Sequence, residues 1–127
     1  MDKDRFEQLV AEAVEALPEE FQEKLENIDV VVEDWPNRGQ LRRIGKGMTL
    51  LGLYEGVPLT ERHSSYGMVT PDKITIFRNT IEAKCGRDEM DVKEEIKRVV
   101  RHEIAHHFGM SERQVREAEK TRREQKK

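Results

Sequence analysis

The chain has 127 residues, 39% of them charged, and a formal net charge of −3 at pH 7. This length predicts a single domain over residues 1–127 with a modest core, and the negative balance disfavours a protein that binds nucleic acid through bulk electrostatics. Cys85 is the one cysteine, which excludes an internal disulfide and a cysteine-rich metal cage.

Two helices and a strand are predicted first along the chain. Apolar side chains between residues 3 and 17 recur at helical spacing, and Pro18 ends that helix. A second helix starts at Pro18, with Phe21 and Leu25 four residues apart. The β-branched run IDVVVED then predicts a strand that ends before Trp35.

Two more strands and a short helix follow. The segment from Leu50 to Gly56 predicts the second strand, and the alternating pattern of Lys73–Arg78 predicts the third. The segments 37–47 and 59–71 are expected to be loops. NTIEAKCG is expected to form a short helix that Gly86 ends.

The longest helix is predicted from Asp91 to Phe108, with Asp91 and Glu94 as a capping pair and a stop at Gly109. Ser111 and Gln114 have the spacing of a capping box for a last helix. Helices packed on a short mixed or antiparallel sheet give an α+β fold.

The stretch RHEIAHHFGMSE on the long helix has the spacing of a metal site. His102 and His106 are one turn apart on one face, roughly 6 Å along the axis, and could share one Zn²⁺. Glu103 is turned by about 100° from His102, so it suits a general base acting on a water at the metal better than a ligand.

The polarity of the helix supports this interpretation of Glu103. Its position falls within the apolar arc of the helix, between Val99 and Val100, where an ionised carboxylate is costly unless it has a partner. Surface histidines on a polar helix are the alternative, but HExxH is expected by chance only about 0.02 times in such a chain, which disfavours it. His107 lies on the same arc and is expected to be a buried, hydrogen-bonded structural histidine.

A third ligand is needed for a zinc site that leaves one position to water. Gly109 can take the left-handed conformation that reverses the chain, which would return Glu112 beneath the metal. Glu112 also has a second interpretation, as the first residue of a helix capped by Ser111, where the helix dipole favours a carboxylate.

The pattern HEIAHHFGMSE, with LLGLYEGVPLTER and DKITIFRN upstream, resembles the small bacterial zincin-like metallopeptidases, a minimal metzincin-like family, from about Ile28 to Gln114. The resemblance implies a compact zincin-like domain, one zinc ion and peptide hydrolysis. It makes His102, His106 and Glu112 the metal ligands and Glu103 the catalytic base. No methionine follows Glu112, so the supporting Met-turn of metzincins is missing.

Further contacts to the substrate are expected from two places. His63 and Tyr66, in the segment 59–71, are candidates to stabilise the oxyanion of the transition state. By resemblance to zincins, the strand Lys73–Arg78 is the candidate sheet edge for a bound peptide.

Two functions remain open from the sequence. One is a zinc metallopeptidase acting on peptides or proteins, and the other is a weakly active or inactive zincin scaffold that binds a partner. No nucleic acid or membrane partner is expected, and the charged N-terminus and lone thiol favour the cytoplasm. The basic tail, residues 111–127, fits a solvated helix or a docking segment for an acidic partner.

Overall fold

The computed structural model of the protein describes residues 1–42, 50–56 and 71–125, with the side chains of residues 112, 119 and 121–125 left out. Within those ranges the chain forms six helices and three strands. In chain order they are α1 (Lys3–Glu15), α2 (Glu19–Leu25), β1 (Ile28–Glu33), α3 (Arg38–Leu41), β2 (Gly52–Glu55), β3 (Asp72–Phe77), α4 (Arg78–Cys85), α5 (Glu89–His107) and α6 (Glu112–Gln125). The α+β prediction is confirmed.

The three strands form one mixed sheet in the order β1-β3-β2. β1 runs parallel to β3 with Val30 opposite Ile74, and β2 runs antiparallel to β3 with Tyr54 also opposite Ile74. The expectation that Lys73–Arg78 is an edge strand is therefore wrong. The reason lies in its burial: residues 74–77 are all buried, a pattern typical of a central strand.

The apolar stripe of α5 lies at the centre of the core. α5 packs against α1, α2, α4, β2 and β3. Burial of each large aliphatic side chain contributes about 1.5–3 kcal/mol, so this stripe fixes the rotation of the helix about its axis. Its buried residues are Val92, Ile96, Val99, Val100 and Ile104.

The start of α5 differs from the prediction. Asp88 is the N-cap and its side chain accepts a hydrogen bond from the Asp91 backbone N–H, so the pairing of Asp91 with Glu94 is wrong. RDEMD offers two aspartates three residues apart, and only the backbone geometry selects the first. The end of α4 is as predicted, with Gly86 at φ 76° as its C-cap.

Candidate metal centre

His102 and His106 both lie on the exposed face of α5. Their ring centroids are 6.3 Å apart and their ring planes are nearly perpendicular. Two imidazoles on one tetrahedral zinc ion would have centroids about 5 Å apart, given Zn–N distances of about 2.0–2.1 Å. The observed separation exceeds that value by about 1 Å, so a shared zinc ion requires one of the two side chains to rotate.

The helix that carries these histidines ends in a Schellman motif. Gly109 adopts φ 66°, and the Met110 N–H donates to the Ala105 carbonyl at 2.8 Å. The Gly109 N–H donates to the His106 carbonyl at 3.4 Å, which completes the motif. The reversal predicted at Gly109 is confirmed. Because of this turn, α6 begins only six residues after His106 along the chain.

Glu112 is that first residue of α6. The capping box predicted before it is present, since the Gln114 N–H donates to Ser111 Oγ at 3.1 Å and the Ser111 N–H donates to Gln114 Oε1 at 2.7 Å. The Glu112 side chain is outside what the structure describes, so its ligand role stays a prediction.

Among the side chains that the structure describes, no group of three or more His, Cys, Asp or Glu could hold a metal ion. A zinc site built on His102 and His106 therefore requires a donor from beyond that set. Glu112 has this position in the sequence pattern. His63 and Tyr66, the candidate oxyanion contacts, also lie outside the described residues.

Glu103 faces the sheet instead of solvent. It is half-buried, and its Oε1 accepts a hydrogen bond of 2.9 Å from the backbone N–H of Tyr54 in β2. Among the described strands β2 lies at the edge of the sheet, and its Tyr54 N–H is directed toward α5. The bond offsets the cost of a carboxylate on the apolar arc, the position where the sequence predicts it.

This hydrogen bond depends on Gly52, for which the sequence alone predicts no functional role. At Gly52, two residues before Tyr54, an added Cβ would overlap Val99 Cγ1 of α5 and lie 3.2 Å from the Thr75 carbonyl oxygen. The missing side chain lets β2 approach α5 closely enough for Tyr54 to reach Glu103. A glycine inside a predicted strand is the signal that could have indicated such an approach.

His107 is exposed, so the prediction of a buried structural histidine is wrong. Its ring stacks on the ring of Tyr54, with centroids 3.8 Å apart, and the Tyr54 hydroxyl donates to Asp72 Oδ2. The physical reason is that the core ends one turn earlier, at Ile104, so the apolar arc continues past the core that would bury it.

A cavity of about 510 Å³ lies on the histidine side of α5, between α5 and α6. The two candidate histidine ligands line it, while Glu103 lies on the β2 side of the helix. The residues that line it are Arg98, Arg101, His102, Ala105, His106, Met110, Val115 and Arg116.

Comparison with known proteins identifies the family. Residues 25–122 match the family model described as zincin-like metallopeptidase. The chain belongs to this family. A zincin-like chain of this kind has a metallopeptidase-like scaffold, and the family is in general associated with zinc, which agrees with the two exposed imidazoles on one face of α5.

The zincin-like fold has a solved structural relative, a conserved hypothetical protein from Thermus thermophilus. The two chains share 25% sequence identity with a TM-score of 0.54, over 85% of this chain and 94% of that one. No match was found among curated proteins. No helix in the described part of the chain is long and apolar enough to cross a membrane.

Proposed function

We propose that this zincin-like protein is a zinc-dependent peptidase whose general base is Glu103. The observation that carries the proposal is the arrangement on α5. Two exposed imidazoles face one cavity, and a half-buried carboxylate one residue away is held by a backbone N–H of the neighbouring sheet edge. Packing of α5 in the core does not require this combination of residues.

His102, His106 and Glu112 would hold the metal, since two imidazoles and a carboxylate are a donor set that zinc accepts in hydrolytic enzymes. The bound zinc ion supplies Lewis-acid chemistry, activating water and polarising the peptide carbonyl. Glu103 takes the proton from the attacking water and delivers it to the leaving amine.

The Tyr54 N–H contributes to this task by fixing the carboxylate. It binds Oε1, and within the described part of the chain Oε2 has no hydrogen-bond partner. One oxygen of Glu103 is thus held in place and the other is available to accept the proton. The carboxylate is therefore already oriented for proton transfer before the reaction begins. His63 and Tyr66 remain the candidates for stabilising the oxyanion.

The decisive experiment combines metal analysis with a peptide library. Freshly purified protein should contain about one zinc per chain and should cleave peptides in a manner that a chelator abolishes and added zinc restores. Glu103→Gln should keep its zinc and lose cleavage by a factor of roughly 100 or more, within the range of general-base contributions. Glu94→Gln is the matched control, because Glu94 is an exposed carboxylate on the same helix.

Full activity of Glu103→Gln would remove the general base from the mechanism. Stoichiometric zinc without cleavage by the native protein would favour the second function, a zincin scaffold that binds a partner. Absence of zinc in the native protein, together with no uptake on addition, would contradict both.

A further inference from the structure

We infer that the cavity between α5 and α6 binds a carboxylate group of the peptide substrate. This inference rests on the proposed function and names the substrate class of the same site. The cavity is lined by three arginines, Arg98 and Arg101 from α5 and Arg116 from α6, next to the two candidate histidine ligands.

The described side chains that line the cavity differ in charge from the chain as a whole. The protein carries a net charge of −3, yet none of the described residues lining this cavity is acidic. Arg98 and Arg101 each contact another group already, so the anion would be held by the remaining donors of Arg98 and by Arg116. Arginine is also the residue whose planar fork best matches a carboxylate.

The guanidinium groups differ in what they already contact. Arg98 Nε and one terminal nitrogen donate to Glu95 Oε1, three residues earlier on the same helix, which orients Arg98 and leaves its other terminal nitrogen for a ligand. Arg101 already has an interaction partner. Arg116 is exposed on α6 and also lines the cavity.

The size and apolar lining of the cavity fit a short peptide segment. A volume of about 510 Å³ falls within the range of about 300–1,000 Å³ that is usual for small-ligand sites. Ala105, Met110 and Val115 provide apolar contacts for an aliphatic stem, while the arginines contact its charged end. A peptide whose scissile bond lies at the histidine pair would thus place a carboxylate of an adjacent residue near the arginines of the same cavity.

The carboxylate could belong to an acidic side chain or to the C-terminus of the peptide. Both have the same chemistry, and the experiment separates them. Fluorescein-labelled alanine heptapeptides would carry Glu or its neutral isostere Gln at each position in turn, all amidated. A second pair, all-alanine, would differ only in a free or amidated C-terminus.

Binding is measured by fluorescence anisotropy on the zinc-loaded Glu103→Gln protein, so that no hydrolysis is needed. We expect one carboxylate position to bind about tenfold more tightly than its neutral counterpart, as one charge-assisted pair implies. Arg116→Gln and Arg98→Gln should each reduce this preference to less than about threefold. Arg113→Gln, an exposed arginine of α6 that does not line the cavity, should leave it unchanged.

Equal binding of every charged and neutral pair would overturn the inference. An equal loss in Arg113→Gln and Arg116→Gln would also overturn it, because the preference would then arise from bulk charge. The two proposals fail separately: cleavage by the native protein without carboxylate preference contradicts only the cavity, and carboxylate preference without any cleavage contradicts only the peptidase.

Discussion

Each imidazole of the candidate metal centre has a role that a single substitution can test. His102→Ala and His106→Ala should each lower zinc affinity by more than about 100-fold, since loss of a group that only hydrogen-bonds to a ligand already costs about 10–100-fold. His107→Ala is the control, because His107 is also exposed on α5 but its ring stacks on Tyr54. A competition assay with a chromogenic chelator measures the affinities. Zinc affinity retained by either alanine variant would exclude that histidine as a ligand.

Gly109 is the residue whose backbone conformation places α6. An added Cβ would contact nothing within 4 Å, so the cost of Gly109→Ala comes only from its φ of 66°. We expect a loss of about 1 kcal/mol in the free energy of unfolding, and a weaker affinity for zinc as α6 shifts.

Gly86→Ala is the matched control for Gly109→Ala. Gly86 also has a positive φ, 76°, and space around it, but it ends α4. The Gly86→Ala variant should therefore be less stable in urea unfolding but should keep its zinc affinity. If both variants bind zinc as the native chain does, the turn at Gly109 does not position a ligand.

At the scale of elements, the approach of β2 to α5 determines how Glu103 is held. Gly52→Ala would force the new Cβ against Val99 and the β3 backbone, and such overpacking costs typically about 1–3 kcal/mol. β2 should move away from α5, lengthening the Tyr54–Glu103 hydrogen bond. We expect lower peptidase turnover in the zinc-saturated variant, measured beside urea unfolding.

Gly39→Ala serves as its control. Gly39 lies in α3, where the nearest atom to an added Cβ is Asn37 Oδ1 at 3.4 Å, and alanine favours helix. Stability and turnover should both be retained. Native turnover in a destabilised Gly52→Ala would show that the β2 contact does not serve the base.

A second contact between elements joins α4 to α5 and should depend on pH. Burial of Glu95 raises the pKa of its carboxyl, but hydrogen bonds from Arg98 and Lys84 outweigh this and hold the pKa below the usual value of 4.5. A lowered folded-state pKa contributes stability that is present above about pH 4.5 and is lost as the pH falls through the folded-state value.

Glu95→Gln should therefore lose about 1 kcal/mol near pH 7, a modest value because both cations are half-exposed. The difference from the native protein should shrink below about pH 4, and urea unfolding across that range measures it. Glu94→Gln is the control, since Glu94 is 63% exposed and pairs with Lys97 on its own helix, three residues away. A difference that does not change with pH would contradict the assignment.

At the scale of the whole molecule, zinc should stabilise the folded chain through linkage. The candidate ligands lie on α5 and at the start of α6, so the complete site forms only when the chain is folded. A free zinc concentration about 100 times Kd should add about 2.7 kcal/mol to the free energy of unfolding and raise Tm by several degrees. Differential scanning calorimetry measures the shift, which His106→Ala should abolish. If neither zinc nor a chelator changes the Tm of the native protein, the proposed metal centre is contradicted.

Local patterns predicted most of the elements correctly. Helical spacing gave α1, α2 and α5, β-branched runs gave β1 and β3, and glycines marked the ends of α4 and α5. The errors arose where two local solutions compete, as with Asp88 and Asp91 at the start of α5. They also arose where a periodic pattern outlasts the core that would bury it, as with His107.

The sequence by itself determined the family pattern, the pairing of His102 and His106 on one face, and the reversal at Gly109, because each depends on interactions within a few residues. Only the tertiary structure decided that β3 is central, that the Tyr54 N–H holds Glu103 across 49 residues of sequence, and that three arginines from two helices share one cavity. Those features come from packing between distant segments, and no local periodicity records which surfaces will meet.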